Sequence, residues 1–334
     1  MRFFKTKFVN VSLAWLLFSQ GVSAALVTQV DLNVNEQDLD PPGPNQSIFV
    51  DQQISSSMDG SPVGGAINPS VPYITPSAIA RARPGILRAS VNAEANIPGV
   101  SYYSSSGSAQ ARWTARPVVK VDGVANGETG TIKGRMRFEG ALGYENNGYG
   151  AGTNYVGSGS ISLGLSVNGA SGAASSAYTA SYIDRITDNN VDRWFRITAN
   201  RSGIPIYFPV DTRPPGTQEV YRIGEYLEIE IGFQTGTPFD LIATLTAIGS
   251  ASVGDSGRLN WYSDALNSAV WDGFQEVEIN GVSYTEFTAL DEFSGLDLVE
   301  ASVVPLPAAV WLFLGPLTVV LSTIYPGRRG GKRA

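Results

Sequence analysis

The stretch Glu225-Tyr226-Leu227-Glu228-Ile229-Glu230-Ile231-Gly232-Phe233 alternates from Leu227 onward between large apolar residues and Glu or Gly. Leu227, Ile229, Ile231 and Phe233 fall on one side, Glu228, Glu230 and Gly232 on the other. Successive side chains of extended backbone point to opposite faces, so this period of two is that of a half-buried β-strand. The same rule runs through Ile132–Glu139, where Ile132, Gly134, Met136 and Phe138 oppose Lys133, Arg135, Arg137 and Glu139. It runs again through Ile161, Leu163, Leu165 and Val167, which alternate with Ser162, Gly164, Ser166 and Asn168. Opposite charges across a strand pair attract, so the basic face of 133–137 and the acidic face of 228–230 are expected on neighbouring strands of one sheet.

Further strand candidates are Trp113–Val121, Ala177–Ile183, Trp194–Ala199, Phe239–Ile248 and Phe274–Ile279. No stretch sustains a 3.6-residue apolar period for three turns. Turn signals separate the candidates: Asp122-Gly123, Asn126-Gly127, Asn147-Gly148, Asn168-Gly169, Pro214-Pro215-Gly216 and Asn280-Gly281. The expected fold is all-β, an antiparallel β-sandwich of jelly-roll type. A solenoid is disfavoured because no fixed internal period is visible. The sandwich body is expected over 111–290. Residues 25–110, with Asp40-Pro41-Pro42-Gly43-Pro44, Ser55-Ser56-Ser57 and many prolines, read as a loosely patterned region holding early strands such as Ile48–Ile54. Residues 143–176, rich in Gly, Ser, Asn and Tyr, read as long exposed loops around one strand. Residues 291–302 read as an acidic spacer.

The chain has 334 residues and neither cysteine nor histidine. Disulfides, thiolate metal sites, cysteine nucleophiles, Ser–His–Asp triads and His-ligated zinc are thereby excluded. Seven of the 23 basic residues sit in the first 24 and last 32 positions. The intervening body keeps 16 against 30 acidic residues, a net charge of −14. Nucleic acid and anionic lipid are poor partners for such a surface.

Both ends carry addressing signals. Arg2, Lys5 and Lys7 precede a short apolar run, Val11–Phe18, and Val22-Ser23-Ala24 offers small residues before a cut between Ala24 and Ala25. Residues 1–24 are therefore expected to be a signal peptide; the run is too short to span a membrane comfortably. At the other end, residues 301–327 contain no charged side chain. They begin with Val304-Pro305-Leu306-Pro307-Ala308-Ala309-Val310-Trp311-Leu312-Phe313 and are followed by Arg328, Arg329, Lys332 and Arg333. About 20 apolar residues span the roughly 30 Å hydrocarbon core. The basic cluster after them is expected to stay in the cytoplasm as a stop-transfer signal, leaving the rest outside.

This combination resembles the PEP-CTERM proteins, which are exosortase substrates of Gram-negative bacteria that make extracellular polysaccharide. The resemblance covers 303–334, about a tenth of the chain. Leu306 stands where the name-giving motif has Glu, and Pro316 and Ser322-Thr323 interrupt a stretch that is usually rich in Gly and Leu. The resemblance implies one C-terminal transmembrane helix, transient residence in the inner membrane, and processing by an exosortase at Val304, Pro305, Leu306 and Pro307. The bland alternative is a simple C-terminal anchor.

Inside the body, Asp188, Asn190 and Asp192 put oxygen-bearing side chains in one turn and are weak calcium candidates. The sequence there lacks the Gly and distal Glu of an EF-hand loop, and an Asx-rich hairpin turn explains it better. Asp31, Glu36, Asp38 and Asp40 form a second acidic cluster that a solvated segment explains. Asp264 and Asp272 flank Trp271, with Glu276 and Glu278 beyond, and paired carboxylates beside an aromatic ring are what a glycosidase requires. Tyr102, Tyr103, Trp113, Tyr144, Tyr149, Tyr155 and Tyr178 lie near Gly/Ser/Asn-rich loops, where rings could stack on sugars or pack the core. Gly157-Ser158-Gly159-Ser160 is followed by no Lys and no helix, so it is no phosphate loop. The expectation is an exported, non-enzymatic surface or matrix protein that requires no cofactor. Its partners would be an exosortase and extracellular polysaccharide, not nucleic acid. A lectin-like module or weak carboxylate glycosidase is the alternative.

Overall fold

The two alternating stretches that define the fold class pair with each other. In the computed structural model, β8 (Thr129–Asn147) and β13 (Gln218–Gln234) run antiparallel, with Glu230 opposite Lys133, Glu228 opposite Arg135 and Tyr226 opposite Arg137. Ile132, Met136, Phe138, Leu227, Ile229, Ile231 and Phe233 are buried on the other face. The charge-matched neighbours expected from sequence are therefore neighbours in space. The structure describes residues 26–37, 48–57, 61–66, 76–97, 102–147, 154–169, 174–187, 190–199, 206–209, 218–254, 257–265 and 269–300.

The other strands precede, separate and follow this pair. Ahead of it come β1 (Val27–Gln37), β2 (Ile48–Ser57), β3 (Val63–Ala66), β4 (Ser77–Arg83), β5 (Ile86–Ile97), β6 (Tyr102–Ala115) and β7 (Pro117–Lys120). Between its members lie β9 (Asn154–Asn168), β10 (Ala174–Thr187), β11 (Asn190–Ala199) and β12 (Ile206–Pro209). After it come β14 (Asp240–Gly254), β15 (Gly257–Asp264), β16 (Ala269–Ile279), β17 (Val282–Tyr284) and β18 (Thr288–Asp291). One sheet has the order β12-β11-β10-β9-β14-β6-β1-β2; the second runs β17-β16-β8-β15-β5-β4-β3, with β13 beside β8. A two-stranded piece joins β18 to β7. All pairings are antiparallel, consistent with a β-sandwich. Asn280 (φ 52°) and Gly281 (φ 79°) make the two-residue turn between β16 and β17, as the Asn-Gly signal predicts.

The inner faces interdigitate large against small. Trp113 of β6 meets Trp271 of β16 edge-on at 5.9 Å, and Phe138 of β8 meets Tyr178 of β10 at 5.7 Å. Tyr144, Tyr182 and Trp261 form a stacked trio, with centroids 5.2–6.2 Å apart. Gly157 and Gly159 of β9 lie against Trp261, and a Cβ at either would overlap the indole.

Residues 25–110, expected to be loosely patterned with early strands such as Ile48–Ile54, hold that strand as β2 and contribute five more to these sheets, and the boundary expected after residue 110 falls inside β6. Their buried faces are made chiefly of alanine: Ala78, Ala80 and Ala82, then Ala89, Ala93 and Ala95, then Ala109, Ala111 and Ala115. Alanine contributes little apolar area, so its alternation with Ser, Arg and Asn is a faint signal in sequence. The long loops expected within 143–176 are also replaced in part: β8 continues to Asn147, β9 begins at Asn154 and β10 at Ala174.

The segment expected as an acidic spacer is seated on the body over 291–300. Asp291 is only 2% exposed; its Oδ1 accepts the Arg116 N–H at 2.7 Å and its Oδ2 accepts the Ser294 N–H at 3.1 Å. Leu298 is buried, and its carbonyl accepts both the Phe274 N–H and the Trp271 Nε1–H at 2.9 Å. Gly273 has φ 95° and lies so close to the Val299 carbonyl that a side chain there would overlap it. Charge composition read this segment as solvated, whereas its two aspartates cap backbone and its leucine fills the core.

Candidate functional site

The outward face of β8, β13 and β16 brings Asp272 and Glu276 of the carboxylate constellation against Lys133 and Arg135 of the charged strands. The register of β16 shifts between Trp271 and Glu276, where Gly273 turns the chain. This irregularity sends Trp271 and Phe274 inward and leaves Asp272 to meet Arg135. Arg135 Nε donates to Asp272 Oδ2 at 2.7 Å, and its guanidinium carbon stands 4.6 Å above the Tyr226 ring. Lys133 Nζ donates to Glu276 Oε2 at 3.1 Å, Ser283 Oγ donates to Glu276 Oε1 at 3.1 Å, and Arg137 lies 3.7 Å from Glu139.

The electrostatics follow from these contacts. The hydrogen bond to Glu276, reinforced by its charge, raises the Lys133 ammonium above the ordinary lysine range. Hydrogen bonds from Lys133 and Ser283 hold the Glu276 carboxyl below its ordinary value. A general acid of a glycosidase requires the opposite shift. Trp271, the aromatic of that carboxylate constellation, is buried with its N–H satisfied by Leu298. The structure thus places Asp272 and Glu276 as ion-pair partners of β8, and Trp271 as core.

Of the rings considered for sugar stacking, Trp113, Tyr144, Tyr155 and Tyr178 are buried. Burial first, then the Glu225 charge, pushes the Tyr178 hydroxyl well above the usual tyrosine range. Tyr102 and Tyr103 belong to β6, while Tyr149 lies outside the described residues. The ring that does face outward is Tyr226, 55% exposed. Its signal was in the sequence: within the alternating stretch it shares the parity of Glu228 and Glu230, where an aromatic has no core to fill. Gly224 beside it faces open space.

Asn190 pairs with Thr187 and Asp192 with Arg185 in the backbone register of β10 and β11; Asp188 lies outside the described residues. Among the described residues no group of three or more acidic side chains is arranged to hold a metal. Asp31 and Glu36 belong to β1, and Asp38 and Asp40 lie outside the described residues. Ala24, Ala25, Val304, Pro305, Leu306, Pro307, Arg328, Arg329, Lys332 and Arg333 also lie outside them. Among the described residues no helix is long and apolar enough to cross a membrane. No protein-family model matches this chain, and no curated protein is similar to it.

Proposed function

We propose that this chain is an exported, non-enzymatic surface or matrix protein, delivered through its last thirty residues and processed by an exosortase. The observation that carries this reading is the succession Val304–Phe313, an uncharged apolar stretch, and the cluster Arg328, Arg329, Lys332 and Arg333. The apolar stretch halts in the inner membrane as a helix, with the basic cluster retained in the cytoplasm. Pro305 and Pro307 keep the preceding chain extended at the outer boundary, where an embedded peptidase reaches it. The segment 291–300, clasped onto the body through Asp291 and Leu298, supports a tight geometry. Its last described residue is Glu300, and five extended residues reach about 17 Å, so the folded body stands beside the bilayer until the cut.

The body has the winding of a jelly roll in this reading. Its central pairings, β5-β15-β8-β13 facing β6-β14-β9-β10, support that assignment, with consecutive strands β5/β6, β8/β9 and β14/β15 passing from one sheet to the other. A second reading, a carbohydrate-binding module, is favoured by the outward Tyr226 ring beside open Gly224.

Mass spectrometry of native surface material tests the delivery reading. A mature form beginning at Ala25 and ending near residue 305 is expected; an intact Arg-rich end in the inner membrane reduces the protein to an anchored one.

A further inference from the structure

A second charged feature lies on the hairpin of β4 and β5, away from the β8–β13 face. Alternation along Ser77–Arg83 buries Ala78, Ala80 and Ala82 and turns Ile79, Arg81 and Arg83 outward. Arg81 stands directly opposite Arg88, and Arg83 opposite Ile86. Arg81, Arg83, Ile86 and Arg88 line one surface depression. Like charges directly opposite across strands repel, and those three cations face one another in a body of net charge −14. The Arg88 guanidinium is accordingly held below its ordinary value, first by burial and then by Arg81 and Arg83. Among the described residues no carboxylate pairs with Arg81 or Arg83. Along this side of β4 the paired register with β3 ends at Ala80.

We infer that the outward face of this hairpin at Arg81 and Arg83 binds an anionic polysaccharide, with sugar carboxylates on these two guanidinium forks and a ring face on Ile79. Each guanidinium offers paired N–H donors that match a carboxylate. The Cα atoms of Arg81 and Arg83, two residues apart on one strand, lie about 6.8 Å from each other, so the strand presents two separate cations along one face. Ile79 is 39% exposed on the same face and gives the C–H side of a pyranose an apolar contact. Duplex DNA carries one charge per about 1.7 Å, and the surrounding acidic body repels so dense a polyanion more strongly than a sparsely charged glycan. This inference rests on the matrix reading only for the presence of the glycan around the protein.

Calorimetric titration of the purified full chain with polygalacturonate at low ionic strength tests it. Fully methyl-esterified polygalacturonate, free galacturonate and duplex DNA form the comparison arms. Polygalacturonate is expected to bind, to weaken as salt rises, and to exceed all three comparators. The double variant Arg81→Gln/Arg83→Gln should weaken it about tenfold or more with an unchanged circular dichroism spectrum. Arg81→Lys/Arg83→Lys should fall between, and Ile79→Ser should weaken binding while every charge is kept. The inference is overturned by undetectable binding, by equal binding of the methyl ester, by salt-insensitive affinity, or by DNA binding through the same arginines. Free galacturonate binding as tightly as the polymer reduces this face to a small-anion site and also overturns it. None of these outcomes depends on the mass of the mature chain, so the delivery reading stands or falls separately.

Discussion

Asp291 shows how one side chain can turn a solvated-looking segment into part of a core. Its carboxylate accepts N–H groups from Arg116, Phe293 and Ser294 and the Ser294 hydroxyl, while its own N–H donates to the Leu296 carbonyl. Replacing it by Ala would strand buried donors, at a cost of about 1–3 kcal/mol for the group left unsatisfied. Asp291→Ala is therefore expected to lower the denaturation midpoint in urea. Hydrogen exchange should quicken first at Phe274 and Leu298, whose amides bond within this clasp. A variant with wild-type stability and exchange would remove Asp291 from this role. Tyr226 makes the complementary point: its ring looks outward because its position in the alternation leaves it no core to enter.

At the scale of the element, the β8–β13 ladder relies on charge for register more than for strength. Glu228 opposes Arg135 and Glu230 opposes Lys133, each pair contributing about 0.2–1 kcal/mol at an exposed face. Reversing both acids, Glu228→Lys with Glu230→Lys, converts two attractions into repulsions beside Lys133, Arg135 and Arg137. A loss of about 1–2 kcal/mol is expected from these magnitudes, shrinking as salt screens the surface. Denaturant titrations at low and high salt check it, and a loss unaffected by salt would point to packing instead. That these two strands are neighbours was legible from the opposed charges; their register came with the structure. The bulge in β16 was not legible: Trp271 and Phe274, three residues apart, belong to opposite faces of a regular strand, and both rings turn inward only because the register shifts around Gly273, which takes φ 95°.

At the scale of the whole molecule, the first third of the chain is structural. β6 lies between β1 and β14, and β5 lies between β15 and β4, so removing residues 25–110 would take β1, β2 and most of β6 from one end of the first sheet and β3, β4 and β5 from one end of the second, leaving β14 and β15 as bare edges over an uncovered core. A chain starting at residue 111, the boundary expected from composition, is predicted to fail to fold, giving no cooperative thermal transition. A chain covering 25–300 is predicted to melt cooperatively, because it keeps every described strand and the clasp. Calorimetry of the two truncations decides the matter. A cooperative transition in the shorter chain would mean that β1 to β5 are accessory.

The sequence by itself determined that the body is built of strands, which faces of β8, β9 and β13 are buried, and which turn closes β16 onto β17. Those properties are local, set by a period of two and by the backbone freedom of Asn-Gly. Only the tertiary structure decided which strands share a sheet, that the alanine faces of β4, β5 and β6 are core, that 291–300 docks, and that Arg81, Arg83 and Arg88 converge. These depend on partners distant along the chain. A small side chain is informative only once the large ring opposite it is known, and a charge only once its neighbours across the sheet are in place.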